Sequence, residues 1–123
     1  MYKNIFISQP MTGKSEEEIL ATRQKEIEKI HQFFDADGVE INIIASYIDD
    51  ATRNEFQERM GDAINWDIYW LSQSLQKLAT ANTIWLCDGW EHSKGCKIEL
   101  SCAMQYGLDV GNSEWGLNLD NGE

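Results

Sequence analysis

The sequence predicts an α/β domain: a small, doubly wound, mostly parallel sheet flanked by helices. Three observations carry this expectation. Strand-like and helix-like segments alternate along the chain, the order that builds a parallel sheet covered by helices. The run Thr83-Ile84-Trp85-Leu86-Cys87 is apolar almost throughout, as in a strand buried on both faces. Two of the helices are punctuated at both ends, with Ser15 or Ser93 in front and Gly38 or Gly107 behind.

The elements follow in order. Residues 3–8 (Lys-Asn-Ile-Phe-Ile-Ser) form a strand that ends in the turn Gln9-Pro10-Met11-Thr12-Gly13. Ser15 and Glu18 make a capping box, and Ile19, Leu20, Arg23, Ile27, Ile30 and Phe34 recur at helical spacing, so a helix is expected over 16–36. Residues 39–45 alternate and are rich in β-branched side chains, which gives a second strand. Residues 46–61 are polar and accommodate a loop and a short helix. From Asp62 onward, Ile64, Ile68, Leu71, Leu75 and Leu78 mark a long helix, with Trp66 and Trp70 on a face of their own. Residues 83–87 are the third strand, 88–95 a loop, 94–106 a helix, and Leu108 and Val110 open a last strand. The domain is expected to span 1–110, and 111–123 to be a loose acidic tail.

Composition narrows the function classes. The chain has 123 residues, enough for one domain with its own core. Its net charge of −11 disfavours DNA, RNA and other long polyanions, whose binding needs many Lys and Arg contacts. A small phosphate stays compatible, because one helix N-terminus holds such a group with backbone N–H donors. No apolar run approaches the ~20 residues that span a bilayer, and the N-terminus lacks a signal-peptide pattern, so a cytoplasmic location is expected. Cys87, Cys96 and Cys102 are expected to be reduced thiols, and with no Cys-x-x-Cys pair neither a metal nor another cofactor is expected.

In doubly wound sheets, ligands bind beyond the carboxyl ends of the strands. Two loops lie there, 8–14 and 88–95. Glu99 is the most informative residue. Its side chain leans back over Gly95, its later neighbours Cys102 and Ala103 are small, and it lacks the Lys four positions on that a solvated helical Glu usually finds. Such a carboxylate is suited to attack a sugar carbon or to hold sugar hydroxyls. Ser93 reads either as a helix cap or as a phosphate or sugar ligand, together with the N–H groups of Gly95 and Cys96. Asp88 ends the third strand and is expected to face the same cleft, or else to cap a neighbouring element. Trp90 is a candidate to stack on a base, or a core plug. In the first loop Ser8, Gln9, Pro10, Met11 and Gly13 are candidate substrate contacts. Gln9 is able to pair with a base or sugar edge, and Pro10 is a candidate for a cis peptide. The loop is no P-loop, since it has one Gly and the wrong spacing.

The segments Ile-Phe-Ile-Ser-Gln-Pro-Met-Thr-Gly (5–13) and Cys-Asp-Gly-Trp-Glu-His-Ser-Lys-Gly-Cys-Lys-Ile-Glu (87–99) together resemble the nucleoside 2-deoxyribosyltransferase-like family, in its phage and bacterial branch. The resemblance covers residues 3–110. It implies a flavodoxin-like sheet, a small nucleoside or nucleotide substrate, Glu99 as the nucleophile that forms a glycosyl-enzyme intermediate, and Ser93 as a phosphate ligand. It also implies that Asp88 acts near the base and that a neighbouring subunit completes the site. One position departs: Ser74 falls where the family's enzymes carry a functional Asp.

Two functions from different classes follow. One is a hydrolase or deoxyribosyltransferase acting on the N-glycosidic bond of a nucleoside or its 5′-monophosphate. The other is a module that captures such a ligand without cleaving it, and Ser74 favours that one. A third possibility is an interaction protein whose five Trp residues build an interface. A homodimer or larger homo-oligomer is expected, built partly on Trp66 and Trp70; the alternative is that this helix is buried on both sides within one subunit, under residues 46–61.

Overall fold

A computed structural model describes residues 2–114 and 116–118. The elements are β1 (Tyr2–Ser8), α1 (Glu16–Asp35), β2 (Glu40–Ile43), α2 (Asp50–Met60), α3 (Trp66–Leu78), β3 (Thr83–Leu86), a 3-10 turn (Trp90–His92), α4 (Lys94–Gln105), β4 (Asp109–Asn112) and β5 (Gly116–Asn118). The sheet runs β2-β1-β3-β4-β5. Its first four strands are parallel, and β5 adds to β4 antiparallel. Strand order reverses between β1 and β3, so the chain leaves their carboxyl ends in opposite directions and opens a crevice there.

Alternation along β1 divides its side chains between two cores. Ile5 and Ile7 pack with Trp85, Cys87 and, from α1, Ile30 and Phe34. Phe6 packs on the other face with Ile84, Leu86, Leu78 of α3 and Ala103 of α4. The sheet is thus covered by α1 on one side and by α3 and α4 on the other, as an α/β sandwich requires. Helix α1 starts at the expected capping box, with Ser15 and Glu18 each bonding the other's backbone N–H. Its inner face also buries Glu26, which accepts from the Trp85 indole at 3.0 Å and is paired with Lys29.

Three expectations need correction. The chain from Gly111 is not wholly a loose tail: Gly111 and Asn112 complete β4, and residues 116–118 form β5. Polar, Gly-rich sequence hides this strand, whose pairing depends on an available sheet edge. Gly116 has φ +69 and lies where a Cβ would meet the Phe33 ring at 3.0 Å, so only glycine fits that approach. Residues 115 and 119–123 of the expected tail lie outside the described residues. The Gln9–Pro10 peptide is trans. Helix α3 is also rotated from the expected setting: Ile68 is 64% exposed, while Trp66 and Trp70 are half-buried against α2. The face read as free for a second subunit is covered within the chain by Phe56, whose ring lies 5.3 to 5.9 Å from those of Tyr69, Trp66 and Trp70.

Helix α2 has no fully buried residue. Its attachment is the aromatic cluster, a hydrogen bond from Trp70 Nε1 to Gln57 Oε1 (2.8 Å), and the bonds from Tyr47 and the Asp50 N–H to Glu16 on α1. Phe56→Ala should therefore free α2 while leaving the sheet folded, at about 1–3 kcal/mol, less than a fully buried Phe because the ring is half-exposed. Hydrogen exchange should show protection lost over 50–60 and kept in β1 and β3; uniform loss would show that α2 is part of the cooperative core.

Candidate functional site

The site is built where β1, β3 and α4 meet. Ser8 is the last residue of β1 and shares the side of Phe6, so it points toward α4 and is fully buried. On α4, Cys96, Glu99 and Ala103 form the buried face. Ser8 Oγ donates to Glu99 Oε1 at 2.6 Å. The small neighbours seen in the sequence leave this carboxyl room to turn inward. Burial pushes its pKa up to about 7, and the Ser8 hydrogen bond works in the opposite direction. Glu99 is therefore poised to exchange a proton near neutral pH.

Around it lies a cavity of about 970 Å³, lined by both predicted loops. Gln9, Pro10 and Met11 come from the first loop; Asp88, Ser93 and Gly95 come from the second, with Cys96 and Glu99 on α4. Gly89 adopts φ +88 and comes so close to the first loop that a Cβ would sit 3.7 Å from Pro10 Cγ. The two loops thus touch at the crevice, held by the only residue type that takes that turn without strain. Gln9 is buried and donates through Nε2 to the Ile19 carbonyl at 2.7 Å, while its Oε1 has no hydrogen-bond partner.

Not every candidate falls on the cavity. Gly13 lies in the exposed turn closed by the Lys14 N–H to Met11 carbonyl bond, away from the lining. Trp90 packs against the Phe6–Leu86 core and does not line the cavity, in line with its reading as a core plug. Ser93 acts as the cap of α4, its Oγ accepting from the Cys96 N–H at 3.3 Å. That bond occupies the Cys96 N–H expected to hold a ligand, and leaves the first-turn donors of Lys94 and Gly95 without helical partners. The thiol of Cys96 is held neutral by burial, as is that of Cys87, so neither is an activated nucleophile. Among the described residues, no cluster of three or more His, Cys, Asp or Glu side chains is arranged to hold a metal.

The far wall comes from α2 and α3, where Arg53, Asp67, Leu71, Ser74 and Lys77 line the same cavity.

Residues 3–112 match the family described as Domain of unknown function (DUF4406). The chain belongs to this family. Among solved structures, this DUF4406 chain is similar to a Clostridium botulinum CMP N-glycosidase, BcmB, at 14% identity and a TM-score of 0.43, over 89% of this chain and 67% of that one. No curated protein matches it.

Sequence reading of the DUF4406 chain missed Arg53, Asp67 and Lys77. Arg53 lies in the polar stretch without apolar periodicity, where nothing marks which face turns inward. Asp67 carried a usable signal: it precedes Ser74 by two helical turns and so shares its face. No described helix is long and apolar enough to cross a membrane.

The raised pKa of Glu99 has a consequence for stability. Between the ordinary value of 4.5 and about 7, the folded chain keeps a proton that the unfolded chain has lost. Stability conferred by the neutral carboxyl is therefore lost as pH rises through that window. Glu99→Gln escapes this loss and should be more stable than the native chain above pH 7, by up to about 3 kcal/mol, with no advantage at pH 4.5. Urea unfolding at pH 4.5 and 8 checks it; the same difference at both pH values would place the Glu99 carboxyl in solvent.

Proposed function

We propose that this chain cleaves or transfers the N-glycosidic bond of a nucleoside or nucleoside 5′-monophosphate, with Glu99 as the nucleophile. One observation carries the reading: a carboxyl group, buried on a helix and oriented by Ser8 at 2.6 Å, borders a cavity at the carboxyl ends of β1 and β3. A carboxylate in that setting is costly to ionise, and a developing positive charge beside it relieves the cost. The glycosidic transition state supplies that charge on the sugar ring.

In this mechanism the bond from the anomeric carbon to the base nitrogen breaks, and its electron pair leaves with the base. The Glu99 carboxylate forms a bond to the same carbon, giving a glycosyl ester. Water, or the hydroxyl of an acceptor, then attacks that carbon, passes its proton to the Asp88 carboxylate and releases Glu99 as the carboxylate. Asp88, exposed on the facing loop, serves the proton that the departing base requires. The Ser93 hydroxyl and the Gly95 N–H hold the sugar or its phosphate at the positive end of α4.

A second reading is favoured by Ser74, which puts a weakly acidic hydroxyl in the cavity where the resemblance implies a carboxylate. The chain then binds the nucleotide and releases it unchanged. Chromatography of free base from a panel of ribo- and deoxyribonucleosides and their 5′-monophosphates separates the two. For the enzyme, Glu99→Gln should lower base release by on the order of a thousandfold or more. The native rate should rise with pH through about 7, because the nucleophile is the ionised form. Binding without base release would establish the second reading, and turnover unchanged in Glu99→Gln would remove Glu99 from the mechanism.

A further inference from the structure

The chain carries ten Lys and Arg against twenty-one Asp and Glu. Four of the ten, Lys14, Arg53, Lys77 and Lys94, line the cavity, together with only three of the acids, Asp67, Asp88 and Glu99. The rest of the chain holds six cations and eighteen acids. In so acidic a molecule, cations are expected to pair with carboxylates. None of these four is in an ion pair among the described residues, whose pairs are Lys3 with Asp109, Lys29 with Glu26, and His31 with Asp35; Arg23, Lys25, Arg59 and Lys97 are outside these pairs too, so the cavity is set apart by the share of cations it gathers. The four also come from four places in the fold: the first loop, α2, α3 and the start of α4. Separate elements have brought unpaired positive charge to one cavity.

Arg53 stands out among them. Its guanidinium lies over the Trp70 ring, 5.6 Å from the centroid, which holds the flexible side chain in place. Its Nε is buried without a hydrogen-bond partner, a state that costs free energy unless something else supplies an acceptor. A planar fork held over an aromatic ring, with donors unspent, suits the two oxygens of an anion. With Asp67 and Asp88 set against the four cations, the cavity keeps two positive charges while Glu99 is protonated. A phosphate monoester carries about two, where a carboxylate carries one.

We propose that Arg53 anchors the phosphate of a nucleoside 5′-monophosphate, so that the ligand of this cavity is a nucleotide and not the neutral nucleoside. This rests on the reading of the cavity as a nucleoside site. Helix α2 thereby gains a purpose, since it carries the anchor across the cavity from Glu99, and Phe56 and Trp70 hold the helix and the guanidinium in place.

The test is a titration of the intact chain, followed by tryptophan fluorescence, with ribo- and deoxyribonucleoside 5′-monophosphates and their parent nucleosides. The native protein should bind its best monophosphate at least tenfold more tightly than the parent nucleoside, and salt should shrink that advantage. Arg53→Gln should remove most of the advantage and leave nucleoside affinity unchanged, and Arg53→Lys should restore part of it. An unchanged monophosphate preference in Arg53→Gln overturns the proposal. Equal weakening of both ligands also overturns it, because Arg53 then acts by packing α2. If no nucleoside or nucleotide binds, inorganic phosphate and pyrophosphate separate the two readings. A rise in melting temperature with either, lost in Arg53→Gln, keeps the anion anchor and sinks the nucleoside site. No response to any of them overturns both.

Discussion

The hydrogen bond between Ser8 and Glu99 joins the last residue of β1 to the middle of α4. An acid in that place needs a partner, because a buried carboxyl without one is among the costlier defects a fold can carry. The arrangement follows from register. If β1 slipped by one residue, Ser8 would face α1, Phe6 would leave its core, and Glu99 would lose its donor. The pairing of Phe6 with Ile84 and of Ser8 with Leu86 fixes that register. The same pairing brings the loops after β1 and β3 together at Gly89 and Pro10. The chemistry of the site is thus tied to strand alternation and not to loop sequence alone.

Charge is distributed with the same economy. The outer surface carries the acid excess, and four of the ten cations line the cavity where the sheet opens. The field of a whole chain at −11 repels an incoming anion at long range; the cavity reverses the sign at short range, where low dielectric makes each contact count for more. A long polyanion would meet mostly the acidic exterior.

The sheet and the catalytic-looking face of α4 were legible because both rest on short-range rules. The strand at 3–8 that ends in a turn, the apolar run 83–87 and the caps at Ser15 and Ser93 each place an element within a residue or two of its observed ends. Glu99 stood out because its neighbours Gly95, Cys102 and Ala103 are small. The setting of α3 was not legible, because Ile68 and Trp66 compete as apolar residues and only the docking of α2 decides which faces inward. Arg53 was hidden for the same reason: α2 has too few apolar residues to show a face. Strand β5 was hidden because glycine and polar residues form a strand when an edge is offered, and the edge of β4 is a product of the whole fold. The cap role of Ser93 was legible and is seen: its hydroxyl accepts from the helix it begins, which leaves the hydroxyl proton to be donated elsewhere.

Helix α2 sits on the domain without belonging to its core. Since no residue of it is fully buried and the sheet closes without it, the core constrains few of its positions beyond the Phe56 and Gln57 contacts. Such a helix is an exchangeable jaw: its inward residues can be altered without rebuilding the acid at the centre.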